Sequence, residues 1–251
     1  MSAVRIVNLA GGELTAERER WLVDGLVAAL PELRMRELFT ARLDMFHEAD
    51  LITVAVADDA AIGALASRWA TLPTGEPFLH VTSQFVGNDH RGSGVFLSSW
   101  AAHLHTLCEG PLGFPAVSVL KTYNPVVFCA MRNVGRIAGV GCYPSLDLAE
   151  RAGPIGRSAA GLATRIARTI AAGHPFDPAT GVITGAGVPR DLYPSRPRSA
   201  DRAVNEYFAA AARPGDRILC MLRVPTSQAV STLMRFFSAA RHLDSREAAT
   251  Q

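Results

Sequence analysis

The sequence has no CxxC pair, and its four cysteines, Cys108, Cys129, Cys142 and Cys220, are scattered along the chain. That spacing argues against a zinc site and against a disulfide framework. There is no Asn-x-Ser/Thr acceptor. The opening stretch "MSAVRIVNLAGGELTAERER" lacks the apolar core of a secretory signal. No apolar run approaches the ~20 residues that a membrane-spanning helix needs. The formal net charge is only +2, so no general attraction to nucleic acid or to a membrane surface is expected. No repeat and no low-complexity tract interrupts the chain. What remains is 251 residues with 49% apolar and 19% charged side chains, the balance of a globular protein with a substantial core. The expectation is a cytoplasmic protein with no metal.

Local patterns parse much of the chain. "RIVNL" reads as a first strand, and Thr15 as the N-cap of "AERERWLVDGLVAAL". "PELRMRELFTARLDMFHEAD" reads as a second helix. "LITVAVADDAAIGALASRWAT" alternates around "ADDA" and predicts a hairpin. "EPFLHVTSQFV" is the next strand, "VFLSSWAAHLHTLC" a helix, "FPAVSVLKTY" a strand and "NPVVFCAMRNVG" a short helix. "RSAAGLATRIARTIAAG" is a further helix, and "HPFDPATGVITGAGVPRDLYPSRPR" is rich in Pro and Gly and loop-like. Ser199 is a plausible cap for "SADRAVNEYFAAAARPG". "DRILCMLRVP" is a clear late strand, followed by a last helix. Hairpin strands that give way to alternating strands and helices predict an α/β fold with a sheet of mixed direction.

The junction "FVGNDHRGSGVF" carries the chemistry. A strand that runs into a helix start leaves backbone N–H groups unpaired, and the helix dipole favours an anion there. Gly92 and Gly94 let the backbone approach a phosphate closely. A plain turn with an exposed Arg91 is the alternative. The phosphate loop GxxxxGK[ST] is absent, and neither Gly92-Ser93-Gly94 nor Gly185-Ala186-Gly187 continues into GxGxxG.

"VGNDHRGSGVF" resembles the acetyl-CoA loop of the GNAT acetyltransferase superfamily, written R/Q-x-x-G-x-G/A and placed five residues after an apolar strand residue. Here Val86 is that strand residue, Arg91 opens the loop and Gly94 is the middle glycine, with Phe96 in the last position. A second element agrees: Asn124 follows "AVSVLKTY", and Gly135 stands eleven residues further on. The resemblance covers Phe78 to about Gly141. It implies a GNAT-like mixed central β-sheet flanked by helices. It implies that Gln84, Phe85 and Val86 offer backbone groups to the pantetheine arm. Arg91, Gly92, Ser93, Gly94, Val95 and Phe96 would bind the pyrophosphate, chiefly through backbone N–H, and Asn124 would touch the cofactor near its thiol. It implies an N-acyltransferase with acetyl-CoA as co-substrate and an amine acceptor, small molecule or protein, attacking directly. A CoA-binding regulator without turnover is the rival reading.

Acyl transfer to an amine needs a proton acceptor and a donor for the departing thiolate. The family's Tyr seven residues after the Asn is Met131 here, leaving Tyr123 or Tyr143 as substitutes or as packing residues. Six residues before Val86, where histone-type members carry Glu, stands His80. Even spacing puts it on the face of Val86, and an ordinary pKa of ~6.5 suits a base. A half-buried structural histidine is the equal alternative. Glu48 and Asp50 could meet a cationic amine, or simply be surface acids. His103 and His105, two apart on a helix, cannot share a metal. The run holding Arg190, Arg196, Arg198 and Arg202 could meet the 3′-phosphate of CoA or an acidic acceptor, or be a solvated loop. With only Tyr193 beside it, no nucleic-acid platform is indicated.

The chain exceeds a minimal domain of this family. The expected layout is residues 1–150 as acyl-CoA-binding core and 151–214 as a mainly helical insertion. Residues 215–251 would supply a C-terminal strand and helix completing the core. A homodimer is left open.

Overall fold

A computed structural model describes residues 3–42, 44–187, 189 and 192–247, with side chains to residue 239. The elements in chain order are β1 (Arg5–Ala10), α1 (Ala16–Ala29), α2 (Met35–Ala41), β2 (Leu51–Ala57), β3 (Ala60–Thr71) and β4 (Pro77–Val86). Then come α3 (Val95–Glu109), β5 (Val117–Thr122), α4 (Pro125–Gly135), β6 (Gly141–Tyr143), α5 (Leu148–Ala152) and α6 (Pro154–Ile170). The last are β7 (Phe176–Asp177), β8 (Val182–Ile183), α7 (Arg202–Ala211), β9 (Arg217–Arg223) and α8 (Ser227–Glu247). They form two units. One takes the N-terminal segment to Arg68, Val81–Pro115 and the segment from Val230; the other takes Trp69–His80 and Ala116–Ala229.

In the first unit the strand order is β1-β2-β3-β4, with β1 and β2, and β2 and β3, antiparallel. The predicted "ADDA" hairpin is present. Asp58 and Asp59 take φ of 48° and 58°, the paired left-handed conformation of a two-residue turn whose twist matches the strands. β2 is buried at every position, and Thr53 is its one polar residue. Thr15 caps α1 as expected, its hydroxyl accepting the Arg18 N–H. The expected second helix is shorter than its pattern: α2 ends at Ala41, where Arg42 leaves helical geometry at φ −136°, ψ 60°.

α3 packs on β1 and β2 and carries His103 into their core, fully buried. His103 meets Thr53 at 2.8 Å through Nδ1 and Ser67 at 2.7 Å through Nε2. Thr53 spends its own proton on Asn8 Oδ1 at 2.7 Å, so it can only accept from Nδ1–H. Nε2 is then the lone-pair nitrogen and Ser67 the donor. Every polar atom of the ring is satisfied in its neutral form, and burial pulls its pKa down to about 3. His105, two residues on, is exposed beside Glu109.

In the second unit the order is β4-β5-β9-β8-β7, and β6 also pairs with β9. β9, the expected late strand, is antiparallel to β5 along its length, from Val117↔Arg223 to Thr122↔Ile218. Its other edge is shared. β6 takes the end at Met221–Arg223, and β8 takes Arg217 and Ile218. The expected α/β fold, a sheet flanked by helices, is therefore what forms, and it is mostly antiparallel. Ala163, Ile166 and Ala167 of α6 pack in one cluster with Phe78, Val119, Leu219 and Met221. α4 packs on α7 through Phe128, Tyr207 and Phe208. The cap of α7 is Asp201, which accepts the Val204 N–H at 3.2 Å, and not Ser199. Ser199 instead binds Asn205 through its main chain.

Candidate functional site

The turn between β4 and α3 is built by short backbone bonds. Gly87 donates to Ile62 at 2.7 Å, His90 to Gly87 at 3.0 Å and Arg91 to Asn88 at 3.3 Å. The chain then reverses through Gly92 and Gly94, both at φ 80°, a region that costs an L side chain ~1–2 kcal/mol. Gly94 is the cap residue of α3, and no side chain caps the helix. The amides of Gly92, Gly94, Val95 and Phe96 therefore make no backbone hydrogen bond outside the helix among the described residues. No acidic residue stands in the first turn of this 15-residue helix. Nothing lies within 4 Å of where a Cβ on Gly92 would be. The result is a concentration of backbone donors at a positive helix end with open space beside it, a fit for a phosphate-bearing ligand.

Arg91 is engaged locally. Its guanidinium donates to Asn88 Oδ1 at 2.9 Å and pairs with the Glu32 carboxylate. It anchors the turn, and the turn's free donors are backbone groups.

Before the turn, Gln84 has both carboxamide atoms buried with no hydrogen-bond partner, and so has the Ser83 hydroxyl. Such groups cost about 1–3 kcal/mol each unless a ligand or water meets them. An amide-bearing arm along one face of the end of β4 would meet the Gln84 carboxamide. Phe85 packs edge-on to Phe39, and Val86 packs beside Ala55, Ile62 and Val95.

His80, Tyr123, Asn124 and Tyr143 lie in the second unit. His80 is 5% exposed on β4. Tyr123 is buried, and its oxygen accepts from Arg196 Nη2 at 2.7 Å, with the guanidinium carbon 4.6 Å over the ring. Accepting that bond leaves the phenol's own proton to donate. Asn124 caps α4, its Oδ1 accepting the Val126 N–H at 2.9 Å. That bond uses the carbonyl and leaves the amide NH2 for a ligand. Tyr143 differs from Tyr123: its hydroxyl donates to Pro178 O at 2.8 Å. Burial, with Asp177 adding to it, pushes its pKa above the ordinary tyrosine range. Met131 is buried in α4.

Glu48 pairs with Arg68 at 3.0 Å. Of the basic run, Arg190 lies outside the described residues, Arg196 is the partner of Tyr123, and Arg202 pairs with Glu206. The contact of Arg196 with Tyr123 spans 73 residues and has no local signal in the sequence.

No family model matches the chain, and no curated protein matches it. Among solved structures it is similar to a GNAT family acetyltransferase from Brucella melitensis in complex with acetyl-CoA. That likeness has 14% identity, covers 48% of this chain and 76% of that one, and has a TM-score of 0.37. It is similar to Escherichia coli ElaA at 11% identity, 57% and 90% coverage and a TM-score of 0.42. Arabidopsis thaliana Naa50, in complex with the bisubstrate analogue CoA-Ac-MVNAL, gives 10% identity, 86% and 97% coverage and a TM-score of 0.37. Likeness at this level concerns the fold alone.

Proposed function

We propose that the protein is an N-acyltransferase that takes an acetyl group from acetyl-CoA and passes it directly to an amine. One observation carries the reading: the free amides of Gly92, Gly94, Val95 and Phe96 at the start of α3, set in a left-handed glycine turn. Arg91 to Phe96 bind the diphosphate through the main chain. Gln84, Phe85 and Val86 bind the pantetheine arm, and the unpartnered carboxamide of Gln84 supports that role. Asn124 offers its amide NH2 near the thiol.

His80 is the base in this reading. It takes the proton that the amine loses as its nitrogen bonds to the acyl carbon. The carbon–sulfur bond breaks, and Tyr123 gives its proton to the departing sulfur. Tyr123 is preferred to Tyr143 because its proton is not committed to a backbone carbonyl.

A second reading, a CoA-binding protein without turnover, draws on Met131, which stands at the donor position of the resembled family and cannot donate. Release of free thiol from acetyl-CoA, measured against a panel of primary amines beside calorimetric CoA binding, separates the two. Amine-dependent release supports the transferase. Binding with no release for any acceptor supports the second reading.

A further inference from the structure

The second unit contains a cavity of about 1130 Å³, slightly larger than the roughly 300–1,000 Å³ of small-ligand sites. Its wall comes from β6, α5, the first two turns of α6 and the end of β9. Strand register places it. Arg223 pairs with Val117 at one end of the β5–β9 ladder, whereas Ile218 pairs with Thr122, next to Tyr123 and Asn124, at the other. At about 3.3 Å per residue the two ends are roughly 17 Å apart. The cavity therefore lies at the opposite end of this ladder from Tyr123 and Asn124, and ligand binding there is independent of the acyl-transfer reading.

The lining is mostly apolar, including Val140, Leu148, Ile155, Ala159 and Met221. Leu148 and Ile155 are 73% and 83% exposed, so part of this apolar lining faces solvent. Cys142, its thiol pushed up to about 12 by burial, is a neutral part of the same wall.

Against this wall stand three guanidinium groups, Arg151, Arg157 and Arg223, and one carboxylate, Glu150. Glu150 is held by the Ser145 hydroxyl at 2.6 Å. Among the described residues Arg151 donates to the carbonyls of Ala179 and Leu146, and its Nε is buried without a partner. Arg157 donates to the Ala152 carbonyl. Arg223 is half-buried and makes no side-chain hydrogen bond or ion pair among the described residues. No salt bridge among the described residues involves any of the three. An apolar hollow whose lining carries three guanidinium groups against one carboxylate suits a ligand with an apolar body and one anionic end.

We propose that this cavity binds an amphipathic carboxylate of the fatty-acid type, its chain on the apolar wall and its carboxylate on Arg223. Sodium dodecanoate, kept below its micelle threshold and titrated into the full chain by calorimetry, is the probe. Dodecanol, with the same chain and no charge, is the control. Expected are saturable 1:1 binding of dodecanoate and an affinity at least about tenfold above dodecanol, the size of a charge-assisted contact. Arg223→Gln should remove that preference while leaving CoA affinity and melting temperature unchanged. Ala159→Phe, which fills the hollow, should weaken dodecanoate by a similar factor. The proposal is overturned if saturable binding is absent, if dodecanol binds equally well, or if either variant leaves dodecanoate affinity unchanged.

Discussion

His103 should make this protein acid-labile, and its surroundings set the size of the effect. The folded chain keeps the ring neutral down to about pH 3, because full burial disfavours its charged form, and Thr53 and Ser67 satisfy both nitrogens of the neutral ring. The unfolded chain takes up a proton below the ordinary value of 6.5. Stability is thus fully present above pH 6.5 and falls as the pH drops through the window from 6.5 to about 3. At about 1.4 kcal/mol per unit, the loss reaches about 2 kcal/mol at pH 5 and about 5 kcal/mol at the lower limit. For a chain of this size 2 kcal/mol is a melting shift of roughly 4–8 °C. The assay is urea unfolding at pH 7 and pH 5 for the natural chain and for His103→Gln. Carboxylates titrate alike in both, so they cancel in the comparison. The variant is expected to be less stable at pH 7, and its loss between the two pH values should be smaller by about 2 kcal/mol. An equal loss in both proteins would refute the assignment of the acid sensitivity to this ring.

The remaining predictions concern the site. Gly94→Val places a branched side chain at φ 80°. It should lower the melting temperature by a few degrees, at roughly 2–4 °C per kcal/mol, and weaken CoA at least about tenfold by calorimetry. His80→Ala should cut turnover by about 10²-fold or more with CoA affinity within about twofold; unchanged turnover removes His80 from the chemistry. Asn124→Ala should cost about 1 kcal/mol in chemical denaturation through loss of the helix cap, and Asn124→Ser should restore it. If the amide also serves the cofactor, kcat/KM stays low in both variants. Normal kinetics in Asn124→Ser would confine the residue to capping.

What the sequence made legible was local. The "ADDA" turn, the Thr15 cap and the two glycines before α3 each depend on residues within a few positions, and each is found where its pattern put it. Ser199 failed as a cap because Asp201, two residues later, lies at the actual helix start and accepts from Val204. The features that could not be read are long-range. The neutral His103 is fixed by Thr53 and Ser67, 50 and 36 residues away, and Arg196 reaches Tyr123 across 73. The division of one edge of β9 between β6 and β8 depends on register, to which strands of two or three residues contribute almost no pattern. The cavity beside Arg223 is likewise assembled from elements far apart in sequence.

If main-chain amides at the start of α3 hold a diphosphate, the diphosphate should dominate coenzyme affinity. Calorimetry of CoA against pantetheine, which shares the thiol arm and lacks the diphosphate, tests this most directly. Expected are 1:1 binding of CoA and an affinity for pantetheine at least about 10²-fold weaker, since several charge-assisted hydrogen bonds are removed together. Equal affinities for the two, or no measurable binding of CoA, would contradict it.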